Sequence, residues 1–274
     1  MPGVLTDCGI WLTNVPNGSL GFVLADAGFD VWLANNRGSR WCKRHQHFSH
    51  KEEEFWNFSF HEMAMEDLPA IIYFILAKTG QKQLSYIGYS QGSTIGKFLY
   101  FCRGEKGSMA GGRASDMISI LMSSGKRCND IMMQMTTLWL GTSTCHLISF
   151  NCGNFWWDAN WLKSRLDVIV THLLGCTSTK TLLHWKQVKI LKCETKNMTP
   201  PFYDIRSMNI PIFMWGGEND QISTLKDTKL LLPLLSNLIS YKIIPQWMHY
   251  DYLFGLDACQ KLYDELVDII HNFS

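Results

Sequence analysis

The chain alternates two hydrophobic rhythms. Apolar positions at helical spacing predict a helix over Leu20–Ala27, stopped by Gly28. The run Phe29-Asp30-Val31-Trp32-Leu33-Ala34 predicts a strand that ends in the turn residues Asn35-Asn36-Arg37-Gly38. Helical spacing returns from Glu62 to Lys78 and stops before Gly80. Leu84-Ser85-Tyr86-Ile87-Gly88 is a short apolar run of the kind that forms a buried strand, and Gln91–Phe101 reads as the next helix. Strands and helices in alternation predict a mainly parallel sheet.

The rhythm loosens between Cys102 and Lys192. Gly104–Gly112 is polar and glycine-rich, as a loop is, and Met132–Trp157 is rich in Met, Leu and Trp, which predicts a helical cap outside the sheet. Further on, Ile210–Trp215 predicts a strand, Leu230–Leu238 a helix, Ser240–Ile244 a strand and Asp257–Ile270 an amphipathic helix. The expected organisation is an α/β core built from residues 1–101 and 193–274, interrupted by a cap or insertion over residues 102–192.

Composition narrows the function classes. A chain of 274 residues, 46% apolar and 18% charged, can bury a large core and is not disordered. A net charge of +1 excludes a strongly basic nucleic-acid binder. No run of 18 uninterrupted apolar residues occurs, which argues against a transmembrane helix. The opening Met1-Pro2-Gly3-Val4-Leu5-Thr6-Asp7 has neither a basic segment nor a long apolar one, so no signal peptide is expected. Nine cysteines with no C-x-x-C pair predict mainly buried thiols, with Cys145 and Cys152 the nearest pair for a disulfide. Asn17, Asn57, Asn197 and Asn272 each fit the short glycosylation acceptor pattern.

One pentapeptide carries chemistry. Gly88-Tyr89-Ser90-Gln91-Gly92 is a G-x-S-x-G that follows an apolar strand and opens a helix, the context of a nucleophile elbow. Small residues at 88 and 92 let strand and helix approach, which exposes the Ser90 hydroxyl and turns the Gln91 amide toward an oxyanion. A serine hydroxyl near neutral pH needs a base, and the base needs a group to orient it. Behind such elbows the order along the chain is serine, acid, histidine. Asp220 lies in Gly216-Gly217-Glu218-Asn219-Asp220, just past the strand ending at Trp215; His249 follows the strand ending at Ile244. Glu218 and Asp251 are alternative acids, and His172 and His184 are further histidines that precede the acid.

With these residues in view the chain resembles the acid lipase family, the gastric and lysosomal acid lipases and their skin-expressed relatives. The resemblance rests on Trp11-Leu12-Thr13-Asn14, Ser19-Leu20-Gly21-Phe22, Leu24-Ala25-Asp26-Ala27-Gly28-Phe29-Asp30-Val31-Trp32, Glu54-Phe55-Trp56, Phe58-Ser59-Phe60, Asp67-Leu68-Pro69-Ala70, Leu183-His184-Trp185 and Gly255-Leu256-Asp257-Ala258. It covers roughly residues 10–100 and 160–274. It implies an α/β-hydrolase fold, with Ser90 as nucleophile, Asp220 as acid, His249 as base and Gln91 as one oxyanion amide. The family's other oxyanion amide falls on Val4, within Pro2-Gly3-Val4-Leu5, where the family's histidine is absent. The implied substrate is a lipid ester, an acylglycerol or sterol ester at a lipid–water interface, and no metal or organic cofactor is implied.

The departures from the family carry expectations too. The N-terminal strands of the family are lacking, which is expected to leave unpaired the edges of the strand around Val31 and of the strand that delivers Ser90, and to leave the Val4 loop untethered. Residues 102–159 match poorly. Two further readings follow: a truncated, catalytically impaired lipase-like protein, and an esterase for small soluble esters. The family's compartment is secreted or lysosomal.

Overall fold

The computed structural model describes residues 1–97, 117–122, 159–173, 175–190 and 205–273. Within them four strands form one sheet: β1 (Leu84–Tyr89), β2 (Met117–Met122), β3 (Ile212–Gly217) and β4 (Leu238–Ile244), in that spatial order. Every neighbouring pair is parallel. The predicted strands at 84–88, 210–215 and 240–244 are all present, shifted by at most two residues at either end. Met117–Met122 is a correction. It falls inside the block read as cap, yet its backbone lies between β1 and β3. A six-residue apolar run is too short for periodicity to separate a strand from a helix.

Burial follows the period-two rule of strands. Phe213 and Trp215 point into one core with Tyr89, Ile244 and Trp247, while Ile212 and Met214 point into another with Tyr86, Phe60 and Leu231. A parallel sheet covered on both faces explains why β3 reads as a continuous apolar run.

The described helices of seven or more residues are α1 (Leu20–Asp26), α2 (Leu68–Thr79), α3 (residues 91–97), α4 (Ala159–Leu173), α5 (Thr179–Ile190), α6 (Leu225–Leu231) and α7 (Asp264–Phe273). A helical turn at Phe60–Glu62 and a π-helical stretch at Met63–Asp67 lead directly into α2, so the helix predicted from Glu62 begins slightly earlier. A capping box starts it: the Ser59 backbone N–H donates to Glu62 Oε2 at 2.6 Å. The helix expected at Leu230–Leu238 sits further upstream. It starts at Leu225, its end is tightened by a 3-10 turn at Leu232–Leu234, and the chain re-enters the sheet at Leu238. Thr224 caps its start by accepting from the Asp227 N–H at 3.2 Å, and Pro233 cannot supply the N–H that a continuing helix needs. The remainder of the helix predicted to reach Phe101, the segment Met132–Trp157 and the pair Cys145–Cys152 lie outside the described residues.

Phe29–Ala34 is the second correction. The segment joins no ladder among the described residues. A cavity of about 400 Å³ separates it from β1, roofed by Ile71, Ile72 and Ile75 of α2. A strand needs another backbone beside it to pair with, and hydrophobic period alone cannot supply one. The same cavity explains why α2, apolar along most of its length, buries only Leu68. Among the described residues the outer edge of β1 holds one bridge: the Met1 N–H donates to the Ile87 carbonyl at 2.7 Å, and the Tyr89 N–H donates to the Met1 carbonyl at 3.1 Å.

Candidate active site

Ser90 stands at the turn between β1 and α3 with φ +53°, in the left-handed region that side chains rarely adopt. The two glycines of the pentapeptide make that turn possible. A β-carbon on Gly88 would lie 2.8 Å from the Gly92 carbonyl carbon, and one on Gly92 would lie 2.3 Å from the Met1 carbonyl oxygen. Side-chain hydrogen bonds fix the turn further. Ser93 Oγ donates to the Gly88 carbonyl at 2.6 Å, and the Tyr86 hydroxyl donates to the Gly92 carbonyl at 2.7 Å. Ser90 itself stays partly exposed.

Two loops at the carboxyl ends of β3 and β4 bring the other residues in. Asp220 and His249 are 3% and 4% exposed, so their interaction is shielded from water. The Glu218 N–H donates to the Ile244 carbonyl at 3.0 Å and the Asn219 N–H to the Trp247 carbonyl at 2.9 Å, which ties the two loops together. Asp220 Oδ1 accepts the Ile222 and Ser223 N–H groups at 2.9 and 2.7 Å. The same carboxylate faces His249: Nδ1 lies 3.0 Å from Oδ2 and 3.2 Å from Oδ1. A carboxylate only accepts, so Nδ1 carries the proton and Nε2 is left as an acceptor. His249 Nε2 lies 3.1 Å from Ser90 Oγ. The Tyr89 hydroxyl donates to the His249 carbonyl at 2.9 Å and so ties the histidine loop to the elbow. This serine can pass its proton to an imidazole already oriented by a buried carboxylate.

The alternative residues are occupied elsewhere. Glu218 Oε2 accepts the Gln246 N–H at 3.0 Å, and Asp251 Oδ2 accepts the Met248 N–H at 2.6 Å. His172 Nδ1 lies 2.6 Å from Asp7, and His184 stacks on Phe60 with ring centroids 3.9 Å apart.

The loop holding Val4 differs from the sequence expectation: it is tethered. Thr6 Oγ1 donates to the Gly3 carbonyl at 2.9 Å, and the Gly175 N–H donates to the Leu5 carbonyl at 2.7 Å. Asp7, fully buried, pairs with Arg40 Nε at 3.0 Å and accepts from Trp41 Nε1 at 3.2 Å, besides its contact with His172. These bonds join the loop to the end of α4 and to the segment near residue 40. They substitute for sheet pairing because Asp7 gathers several donors on one carboxylate. Gly3, the residue before Val4, packs against the elbow: a β-carbon there would lie 3.2 Å from the Ser90 Cβ.

Sequence reasoning missed three supports: the Tyr89 hydroxyl, the Asp7 cluster and a bond from Trp185 to the Gln91 side chain. Each joins residues far apart in sequence, and no local spacing announces them.

The comparisons with known proteins bear on the fold and the family. Residues 14–101 match the family model described as alpha/beta hydrolase fold. The chain is 37% identical to the lysosomal acid lipase/cholesteryl ester hydrolase of Homo sapiens, over 99% of this chain and 78% of that protein. The chain belongs to the acid lipase family. It is also 35% identical to the gastric triacylglycerol lipase of Homo sapiens, over 98% of this chain and 78% of that protein, and 36% identical to lipase member M of Mus musculus, over 98% and 73%. Solved structures support the fold of this acid lipase family member. The monoacylglycerol lipase of Paleococcus ferrophilus superposes with a TM-score of 0.57 at 16% identity, covering 100% of this chain and 93% of that one. Rv0554 from Mycobacterium tuberculosis gives 0.61 at 13% identity, covering 99% and 88%.

Proposed function

We propose that the chain hydrolyses carboxylic esters of lipids, acylglycerols or sterol esters, through an acyl-enzyme on Ser90. The observation that carries this reading is the unbroken contact from Ser90 Oγ to His249 Nε2 at 3.1 Å and from His249 Nδ1 to Asp220 Oδ2 at 3.0 Å. Ser90 Oγ attacks the ester carbonyl while His249 takes its proton. The alcohol leaves with that proton, and a water activated by the same imidazole releases the acid. Asp220 holds the imidazole in the required tautomer and stabilises it when it is charged. The amides of Gln91 and Val4 hold the oxyanion. The close packing of Gly3 on Ser90 supports the Val4 assignment.

The names of the relatives support the substrate class and a secreted or lysosomal compartment. No described helix is long and apolar enough to cross a membrane. Among the described residues, the core of this reading is built from 1–97 and 205–273 together with β2.

Labelling of the purified chain with a fluorophosphonate tests the reading directly. Labelling is expected in the native sequence and is expected to vanish in Ser90→Ala and His249→Ala. A soluble chain that takes up no label would overturn it. Hydrolysis of acylglycerol emulsions compared with short soluble esters then fixes the substrate class.

A further inference from the structure

The first half of α5 is fastened to the elbow side of the molecule. Just before it, Ser178 Oγ donates to the Phe58 carbonyl. Lys180 Nζ then donates to Asn57 Oδ1 at 3.1 Å, and His184 Nδ1 donates to Ser59 Oγ at 3.0 Å. The last of these bonds reaches the candidate site itself. Trp185 Nε1 donates to Gln91 Oε1 at 2.8 Å. Gln91 is 1% exposed, and at the other end of its side chain Nε2 meets Met63 Sδ at 3.5 Å. An indole N–H only donates, so the oxygen of the Gln91 carboxamide must be the end that faces Trp185. The Trp185 ring packs on Phe60, with centroids 4.7 Å apart, which holds the donor in place.

We propose that Trp185 is a positioning residue for the ester hydrolysis: through its bond to the Gln91 side chain it fixes the direction of the Gln91 backbone N–H. The inference rests on the reading of Gln91 as an oxyanion donor. Its physical basis is the turn in which Gln91 sits. The preceding residue, Ser90, holds a strained φ of +53°, and a strained backbone keeps its geometry only where its surroundings over-determine it. An oxyanion donor acts only if it is held within about 0.5 Å of the productive position. A carboxamide gripped by an indole at one end and a thioether at the other supplies such a restraint. It also makes the oxyanion geometry depend on whether α5 is docked.

The test uses the full chain with p-nitrophenyl butyrate. Trp185→Phe keeps the ring against Phe60 and removes the donor, leaving the Gln91 oxygen buried and unpaired. The expected result is about a tenfold fall in kcat with KM within about twofold, the pattern of a contact felt in the transition state. Gln91→Leu removes the acceptor from the other side and is expected to lower kcat likewise. In that background Trp185→Phe adds nothing further, whereas in Gln91→Glu, which keeps an acceptor, it again costs. Additive losses across this cycle would mean a merely structural tryptophan and would overturn the proposal. Fluorophosphonate labelling separates the two readings. A labelled native chain with an unchanged labelling rate in Trp185→Phe sinks the positioning role alone, and an unlabelled native chain sinks both.

Discussion

Gly3 and Ser90 are in contact across the site: a β-carbon built on Gly3 would lie 3.2 Å from the Ser90 Cβ and 3.3 Å from the Tyr89 ring. The loop proposed to offer the Val4 amide is thus seated on the proposed nucleophile. Gly3→Ala needs a shift of a few tenths of an ångström and is expected to cost little. Gly3→Val cannot be accommodated without moving the loop. Losing one oxyanion donor costs ~10²–10³ in kcat, so a fall of that order is expected for Gly3→Val. Steady-state kinetics on the two variants checks it; equal activity in both would remove Val4 from the mechanism.

Asp220 separates orientation from simple packing. Asp220→Asn keeps the volume, and its amide oxygen still accepts the Ile222 and Ser223 N–H groups that Oδ1 now holds at 2.9 and 2.7 Å. The amide nitrogen then faces His249 as a donor and favours the tautomer with the proton on Nε2, which cannot accept from Ser90. A drop in kcat of roughly 10⁴ is expected, with little change in melting temperature. Activity within tenfold of the native chain would reject Asp220 as the orienting acid.

Much of this arrangement is legible in the chain. β1, β3 and β4 and the pentapeptide announce themselves because buried parallel strands are apolar runs and the elbow needs small residues at fixed offsets. Asp220 and His249 follow from chain order and from their places after β3 and β4. What is not legible depends on partners distant in sequence. Val31 and its neighbours have the composition of a strand, but a strand exists only where another backbone lies beside it. Met117–Met122 has such neighbours and was obscured by irregular surroundings. The Asp7 cluster joins residues 7, 40, 41 and 172, and no periodicity links those positions.

The open edge of β1 has a measurable consequence. Residues of a strand face their two neighbours alternately. Because Ile87 and Tyr89 bond Met1, the odd-numbered backbone groups face the cavity and the even-numbered ones face β2. The Ser85 and Ile87 amides therefore point into a space walled on its far side by Phe29–Ala34. Hydrogen exchange resolved by residue is expected to be faster at Ser85 and Ile87 than at Tyr86 and Gly88, which sit in the ladder with β2. Uniform protection along β1 would mean that this edge is covered in solution.

His184 gives the fold a pH dependence with a defined sign. Burial first, then the neighbouring charges of His61 and Lys180, lower its pKa to about 4, with Glu62 opposing them. Its ring lies on Phe60, Nδ1 bonds Ser59, and Nε2 is buried with no partner among the described residues. A proton placed there has nothing to receive it. In the unfolded chain the same group titrates near 6.5. Above that value both states are neutral and His184 contributes fully. Between about 6.5 and 4 the unfolded chain binds the proton and the folded one does not, so stability falls as the pH falls and levels off below the folded pKa. Denaturant midpoints of the native chain and of His184→Gln, measured from pH 7 to pH 4, are expected to converge on acidification, the native chain losing more. Glu62 and Lys180 are present in both proteins, so their titration cancels in the difference. Parallel curves would show that His184 takes up its proton as readily in the fold as in the unfolded chain, and that the contact between α5 and Ser59 carries no acid sensitivity.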